Sequence, residues 1–220
     1  MKKATLLFLV ILSFACEEQV TKITLDNGYD FYPLELGNYW VYEVEKVDIL
    51  GFIPDTSRYY LREELTDTLL SESGIVKYFL ERQVSQDQIN WEVDSVWTVH
   101  RLDQALVVSE NNLPLIKLTF PVKVGGIWDG NAYNNQAESL FYYETTDLDI
   151  DSLEAVRVVL SDIKKNIVNQ DERSEIYERG VGLISKEYIK LNFCSVNCEF
   201  PGEIESGMVL IQKLIEHGQN

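Results

Sequence analysis

Basic side chains are scarce in this sequence. The chain has 36 acidic side chains but only 19 lysines and arginines, which gives a net charge of −17 at neutral pH. Proteins that bind nucleic acids need clustered basic residues to displace counterions from phosphates, and anionic lipid head groups repel a chain of this charge. We therefore expect no nucleic-acid partner, and we expect any membrane attachment to come from something other than surface charge.

Histidine and cysteine are also rare, with two histidines and three cysteines in the chain. A structural zinc site takes about four such ligands at close spacing, and neither His100 nor His217 has a useful spacing to the cysteines. We predict no metal site of this kind and no cofactor.

Two of the cysteines, Cys194 and Cys198, are separated by three residues. A disulfide at this spacing requires a sharp turn, which Ser195 and Asn197 favour. An exported protein meets an oxidising compartment, so we predict that this pair is bridged.

The N-terminus lacks an apolar run long enough to span a membrane. The run from Leu6 to Leu12 is about half of the roughly 20 residues that a membrane-spanning helix needs. Lys2 and Lys3 precede it, and the small residue Ala15 follows it. This order predicts a cleaved signal peptide over residues 1–15.

The remaining cysteine, Cys16, directly follows the predicted cleavage position. Bacterial lipoproteins usually carry Leu, a small residue, then Gly or Ala before the lipidated cysteine; Ala15 fits this pattern, whereas Ser13 and Phe14 do not. We predict that Cys16 is lipidated, and two or three acyl chains make such anchoring effectively permanent. Ordinary secretion and an uncleaved anchor are the alternatives.

Acidic residues follow Cys16 directly, at Glu17 and Glu18. They resemble the signal that places some lipoproteins on the outer face of the outer membrane. We therefore expect an outer-membrane lipoprotein exposed at the cell surface, with a periplasmic or secreted location as the alternative. Residues 16–30 are polar and predict a lipidated, flexible tether, and residues 31–220 form the predicted domain.

Period-two alternation dominates that domain, beginning with Trp40, Tyr42 and Val44 on one face of a predicted strand. Similar segments rich in β-branched and aromatic residues follow, separated by Gly, Asn, Asp and Ser clusters. They lie near 58–69, 75–84, 91–102, 104–110, 113–120, 138–146, 154–165, 174–179, 182–193 and 207–217. The pattern predicts an all-β domain of ten or eleven mostly antiparallel strands in a curved sheet or open, lipocalin-like barrel, with a β-sandwich as the alternative.

Helical spacing of apolar residues is weak in this chain. It can be drawn only over Asn134–Leu140 and Met208–Glu216, and the second segment also fits strand spacing. Asn169–Arg173 carries turn-forming residues and predicts a loop.

One motif occurs twice, 88 residues apart. Pro33 to Trp40 and Pro121 to Trp128 share proline, two aliphatic positions, glycine and tryptophan in the same register. Gly37 and Gly125 allow a bend, and Trp40 and Trp128 then supply a large apolar surface for the core. We predict that these four residues are structural.

The chain resembles a family of uncharacterised, β-rich bacterial lipoproteins. The resemblance rests on Tyr32-Pro33-Leu34-x-x-Gly37-x-x-Trp40-x-Tyr42, on Phe120-Pro121-x-x-x-Gly125-x-x-Trp128, and on Gly180-Val181-Gly182-Leu183-Ile184-x-Lys186-Glu187. It covers most of the mature chain and implies the same fold class and location. The family has no established activity, so the resemblance adds no site.

Asp147, Asp149 and Asp151 have the Asp-x-Asp-x-Asp spacing that opens a calcium-binding loop. Such a loop requires glycine at its sixth position and glutamate at its twelfth, where this chain has Ser152 and Val158. The residues are a weak calcium candidate, and we favour a plain acidic turn.

Catalytic motifs do not stand out. His100 alternates with Val99 and Arg101 on a predicted strand, which favours a hydrogen-bonded or exposed side chain over a catalytic one. Eight aromatic residues could line a sugar or lipid cleft but at alternating positions favour the core: Trp40, Tyr42, Tyr59, Tyr78, Trp91, Trp97, Tyr142 and Tyr143. We expect a lipid-anchored, non-catalytic module that contacts a protein, glycan or lipid, and the alternative is a secreted hydrolase.

Overall fold

The structure is a computed structural model, and it describes residues 26–146, 154–195 and 198–220. The predicted signal peptide, Cys16 and the acidic residues Asp147, Asp149 and Asp151 lie outside the described residues.

The described residues form one antiparallel sheet of twelve strands, preceded by a single 3₁₀ turn at Tyr29–Phe31. In chain order the strands are β1 Asn38–Leu50, β2 Ile53–Leu70, β3 Val76–Ser85, β4 Glu92–Leu102, β5 Ala105–Glu110, β6 Leu113–Thr119, β7 Ile127–Asp129, β8 Leu140–Thr145, β9 Ala155–Ile163, β10 Asn169–Glu178, β11 Gly182–Phe193 and β12 Ile204–Gln219. The sheet order runs from β6 down to β1, then from β12 down to β7, so the first and last strands of the domain pair with each other.

The two edges of this sheet approach each other. The Ile116 amide of β6 donates to the Gly130 carbonyl after β7 over 2.9 Å, and the Trp128 indole nitrogen donates to the Ile116 carbonyl over 2.9 Å. The Tyr143 hydroxyl on β8 bonds both the amide and the carbonyl of Thr119 at 2.8 Å. The result is a nearly closed, barrel-like sheet. The predicted all-β fold is confirmed in its curved-sheet form, and the sandwich alternative is not adopted.

Some details differ from the sequence prediction. The described residues form twelve strands instead of ten or eleven, because the three-residue β7 is too short to show alternation. Asn169–Arg173 begins β10 instead of forming a turn, because its backbone pairs with β11 and its polar side chains lie at partly exposed positions of the sheet.

Neither helix candidate is a helix. Met208–Glu216 lies in β12, where β1 on one side and β11 on the other satisfy its backbone groups. Asn134–Leu140 is an irregular loop that leads into β8, and the Asn134 side chain ties it to the Pro114 carbonyl over 2.8 Å.

The core lies on the concave face of the sheet. Trp40, Tyr42 and Val44 alternate into it from β1, as predicted, and all three are buried. Leu61 and Leu65 continue this layer on β2. Packing of these large side chains is the main source of stability in a sheet of this kind.

Residues before β1 cover one end of the core. Phe31 is fully buried, and the Arg179 guanidinium holds this segment through Asp26 at 2.6 Å and Asp30 at 2.7 Å. The Arg179 hydrogen bond to Asp26 lowers the pKa of that carboxyl. Residues 26–30, assigned to the tether from sequence, therefore contact the sheet.

The repeated motif builds two similar corners. Gly37 and Gly125 have φ angles of 84° and 80°, which other residues seldom adopt. A Cβ on Gly37 would also lie 2.8 Å from the Asn220 carbonyl oxygen. Trp40 and Trp128 follow these bends, and both are buried with the indole N–H donating to a carbonyl.

Candidate functional site

His100 lies on β4, between Lys77 of β3 and Val107 of β5. It is half-buried, and its Nδ1 has no hydrogen-bond partner in the part of the chain that the structure describes. Burial and, after it, the nearby Lys77 ammonium lower the pKa of the imidazole. The side chain is thus partly exposed, and these neighbours do not supply a catalytic hydroxyl and acid.

Four of the eight aromatic candidates, Trp40, Tyr42, Trp97 and Tyr143, are buried in the core. Tyr59 and Tyr78 are partly buried and pack against it, and Trp91 and Tyr142 are also partly exposed. The core interpretation is correct for the buried four.

A cluster of charges that sequence reasoning missed lies inside the sheet. Glu175 on β10 has no exposed surface, and its Oε1 accepts a hydrogen bond from the Lys117 ammonium of β6 over 2.6 Å. The Tyr177 and Tyr188 hydroxyls donate to the same carboxylate over 2.7 and 2.5 Å. Lys117 is 4% exposed, so this is a buried ion pair between strands that are not neighbours in the sheet.

Two further side chains complete the buried charge cluster. Glu110 lies 3.1 Å from Lys117, and Lys186 lies 3.4 Å from Glu175. Two carboxylates therefore face two ammonium groups, and the formal charge of the cluster is zero. Buried charges are tolerated when they are paired and hydrogen-bonded in this way.

The charges hold each other in the ionised state. Burial alone would raise the pKa of Glu175, but the Lys117 and Lys186 ammonium groups together outweigh it and hold the pKa well below its usual range. For Lys117, burial opposes ionisation, while Glu110 and Glu175 raise its pKa above the usual value. Burial and then the Glu175 carboxylate raise the pKa of both tyrosines.

This arrangement does not suit catalysis. Both oxygens of Glu175 accept hydrogen bonds from protein groups, and the carboxylate has no contact with solvent. The cluster ties β6 to β10 across the interior, which supports a sheet whose edges are joined by few backbone hydrogen bonds. The sequence held one signal for it, because Lys117 interrupts the apolar run from Leu113 to Phe120.

A concave surface lies beside the N-terminal segment. An open groove of about 730 Å³ lies between Leu34, Val76 and Gln104. Its main charged group, Arg101, donates to the Tyr29 and Tyr32 carbonyls over 3.0 and 2.6 Å. The arginine thus fastens the N-terminal segment to the sheet.

The hairpin that joins β1 to β2 extends beyond β3, while β12 pairs with β1 along its whole length. β3 pairs with β2 only from Tyr60 onward, so Ile53 to Tyr59 pair with β1 alone. The turn residues Gly51 and Phe52 have φ angles of 58° and 68°, the signs of a type I′ turn. Phenylalanine at positive φ is strained by about 1–2 kcal/mol, and such turns favour Asn, Asp or Gly.

A second loop packs against this hairpin. Cys194 and Cys198 are bridged, as predicted, with their α-carbons 5.8 Å apart. Backbone hydrogen bonds from Gly202 to the Cys194 carbonyl and from Cys194 to the Glu203 carbonyl close the loop. The Phe52 amide donates to the Glu205 carbonyl over 3.1 Å, which joins the two loops.

We call the exposed apolar residues here the apolar tip, which consists of Leu50, Phe52, Ile53 and Phe200. The Phe52 and Phe200 rings meet edge to face, with centroids 5.6 Å apart. Leu50, Ile53 and Phe200 are 81%, 72% and 50% exposed. A cleft of about 280 Å³ runs beside the rings, with Ile49, Pro54 and Ile204 in its walls.

Acidic residues flank the apolar tip in both loops. Asp55, Glu199, Glu203 and Glu205 are exposed, and we call them the acidic rim. Asp48 lies next to them in the hairpin and is paired with Lys46 over 2.7 Å. A solvent-facing apolar group of this kind with a charged rim is typical of an interaction site.

Among residues 26–146, 154–195 and 198–220, the histidines, cysteines and carboxylates form no group of three or more suited to hold a metal ion. Within the same ranges, no helix has the length and apolar character needed to cross a bilayer.

No family model and no curated protein matches the chain. Among solved structures, a predicted exported protein with a YmcC-like fold from Bacteroides fragilis is similar, with a TM-score of 0.45 and 11% sequence identity. The match covers 86% of this chain and 99% of that protein's chain. At this TM-score the likeness assigns neither a family nor a function.

Proposed function

We propose that this protein is a lipid-anchored, non-catalytic module of the bacterial envelope, held at the outer membrane through Cys16 and displayed at the cell surface. The proposal combines the leader of the sequence with the geometry of the domain. Its most deeply buried charged groups, Glu175 and Lys117, are bonded to each other, whereas the apolar tip is an exposed apolar group at one end of β1.

The observation that carries the proposal is the opposite placement of the tether and the apolar tip. The chain enters the domain beside the start of β1, where Gly37 donates to the Leu65 carbonyl and accepts from the Asn220 amide. The apolar tip lies at the other end of β1, 13 residues away. At about 3.3 Å per residue the distance is about 40 Å. A domain tethered at Cys16 can therefore extend its tip away from the membrane.

Metabolic labelling with an alkyne fatty acid tests the anchor. The wild type should be labelled and sediment with membranes, while Cys16→Ser should be unlabelled and released. The double variant Cys194→Ser/Cys198→Ser is the matched control, and it should keep the label because only Cys16 carries lipid. An unlabelled wild type contradicts the lipid anchor.

A further inference from the structure

We propose that the apolar tip is a docking site for a basic, apolar segment of another protein. The orientation of the tip toward such a partner rests on the proposed function, whereas the chemistry of the site rests on the geometry of the two loops.

The turn between β1 and β2 is strained at Phe52. Phe52 occupies a positive-φ position that glycine would fill without strain, and its ring is partly exposed instead of buried in the core. Strain of this kind persists where it positions a side chain for a purpose. The ring has an organised partner in Phe200, so the contact surface is formed before any ligand arrives.

The two loops that carry the tip are also acidic. The acidic rim supplies four exposed carboxylates, one in the hairpin and three in or beside the bridged loop, and the neighbouring Asp48 already has Lys46 as its counter-ion. A partner that covers the apolar residues must approach these carboxylates closely. Basic side chains flanking an apolar segment match this pattern and speed encounter.

The same charges argue against other occupants. Two copies docked tip to tip would bring eight rim carboxylates together and repel each other. The anchoring membrane lies at the tether end of the domain, and anionic head groups would be repelled by the rim. A polypeptide with both apolar and basic side chains is the occupant that fits.

Photo-crosslinking in the producing cells tests the site on the full, processed chain. Benzoylphenylalanine is incorporated in place of Ile53 at the tip or, as a matched control, in place of Leu70. The two residues are 72% and 67% exposed and lie at opposite ends of β2. We expect Ile53, but not Leu70, to crosslink to a protein segment that mass spectrometry maps as apolar with a net positive charge.

A synthetic peptide of the mapped segment is then titrated against the lipidated chain in phosphatidylcholine vesicles. Phe52→Gly should weaken binding at least tenfold without lowering the melting temperature, because glycine relieves the turn. Asp55→Lys with Glu205→Lys should also weaken it at least tenfold, and Leu70→Ser should leave it unchanged.

Several results would overturn the docking site. One is the absence of an Ile53-specific crosslink. Another is a crosslink from Ile53 to lipid, to a second copy of the chain or to an acidic segment. A third is peptide binding that the tip variants do not weaken. The fatty-acid label on Cys16 is read separately. An unlabelled chain that still crosslinks through Ile53 refutes the anchor alone, and a labelled chain without that crosslink refutes the docking site alone.

Discussion

Lys117→Met should strongly destabilise the folded domain. Methionine keeps much of the side-chain volume but removes the ammonium group that lies 2.6 Å from Glu175 and 3.1 Å from Glu110. Two buried carboxylates then face Lys186 alone, so the cluster carries one uncompensated negative charge. Breaking a buried ion pair in this way costs about 3–5 kcal/mol of unfolding free energy.

The loss should depend on pH, and its direction follows from the pKa of Glu175. In the wild type the pKa of Glu175 is lower in the folded state than in the unfolded state. The stability that ionised Glu175 contributes is therefore complete above the pKa of the unfolded state, and it is lost as the pH falls through the lower pKa of the folded state. Without Lys117, burial dominates and should raise the folded pKa above the unfolded one. The variant should therefore gain stability relative to the wild type as the pH falls from 7 to 4.

Urea unfolding of both chains at pH 7, 5.5 and 4 measures these differences. The double variant Lys117→Met/Glu175→Gln leaves Glu110 balanced by Lys186 and should recover part of the loss, because the uncompensated charge is gone. A Lys117→Met loss below about 1 kcal/mol that does not change with pH would refute the idea that the cluster is a tightly coupled buried network.

The two tryptophan corners and His100 give further predictions. Trp40→Ala and Trp128→Ala should each lower the unfolding free energy by about 3–5 kcal/mol in thermal or urea melts, because each removes a buried ring; wild-type melting would contradict their structural role. The pKa of His100 is lowered in the fold, so the wild type should lose stability as the pH falls through the unfolded value, about 6.5. His100→Gln should reduce this slope, and an unchanged slope from pH 8 to 5 would show that His100 does not contribute to it.

Strand positions were predictable because one face of most strands is buried. Trp40, Tyr42 and Val44 show the resulting alternation, and the predicted segments match eleven of the twelve strands. The exception, Ile127–Asp129, spans too few residues for a period to be visible. The loop predicted over Asn169–Arg173 was wrong for a different reason. Polar residues on a paired strand resemble turn residues when their cross-strand partners are unknown.

The buried charge cluster could not be predicted to the same degree. Lys117 and Glu175 are 58 residues apart, and they meet only because the sheet curves until β6 faces β10. The bulge that shifts the β5–β6 register between Leu106 and Val107 lies opposite Lys117. Local sequence patterns do not encode such a shift, so a lone charge in an apolar run is the only available sign.

The apolar tip was equally hidden, although the bridged loop beside it could be identified. The cysteine spacing indicated that bridge, but nothing in the sequence shows that Phe52 and Phe200 touch. They meet because β1 pairs with β12 along its whole length, which places the start of β12 and the bridged loop before it beside the hairpin.

The bridge between Cys194 and Cys198 should therefore matter more for binding than for stability. A closed loop of so few residues contributes about 2 kcal/mol by the loop-entropy estimate, a fraction of the stability of an ordinary domain. Cys194→Ser/Cys198→Ser should thus melt at a moderately lower temperature but remain folded at 25 °C, because β11 and β12 still pair from Ser185 to Phe193.

Without the bridge, Phe200 would no longer be held against Phe52. A partner would then have to order the Phe200 loop on binding, and this entropy cost would weaken docking. We expect this variant to lose Ile53-specific crosslinking while its circular dichroism spectrum stays native. Full crosslinking by the unbridged chain would show that the loop needs no bridge to position Phe200.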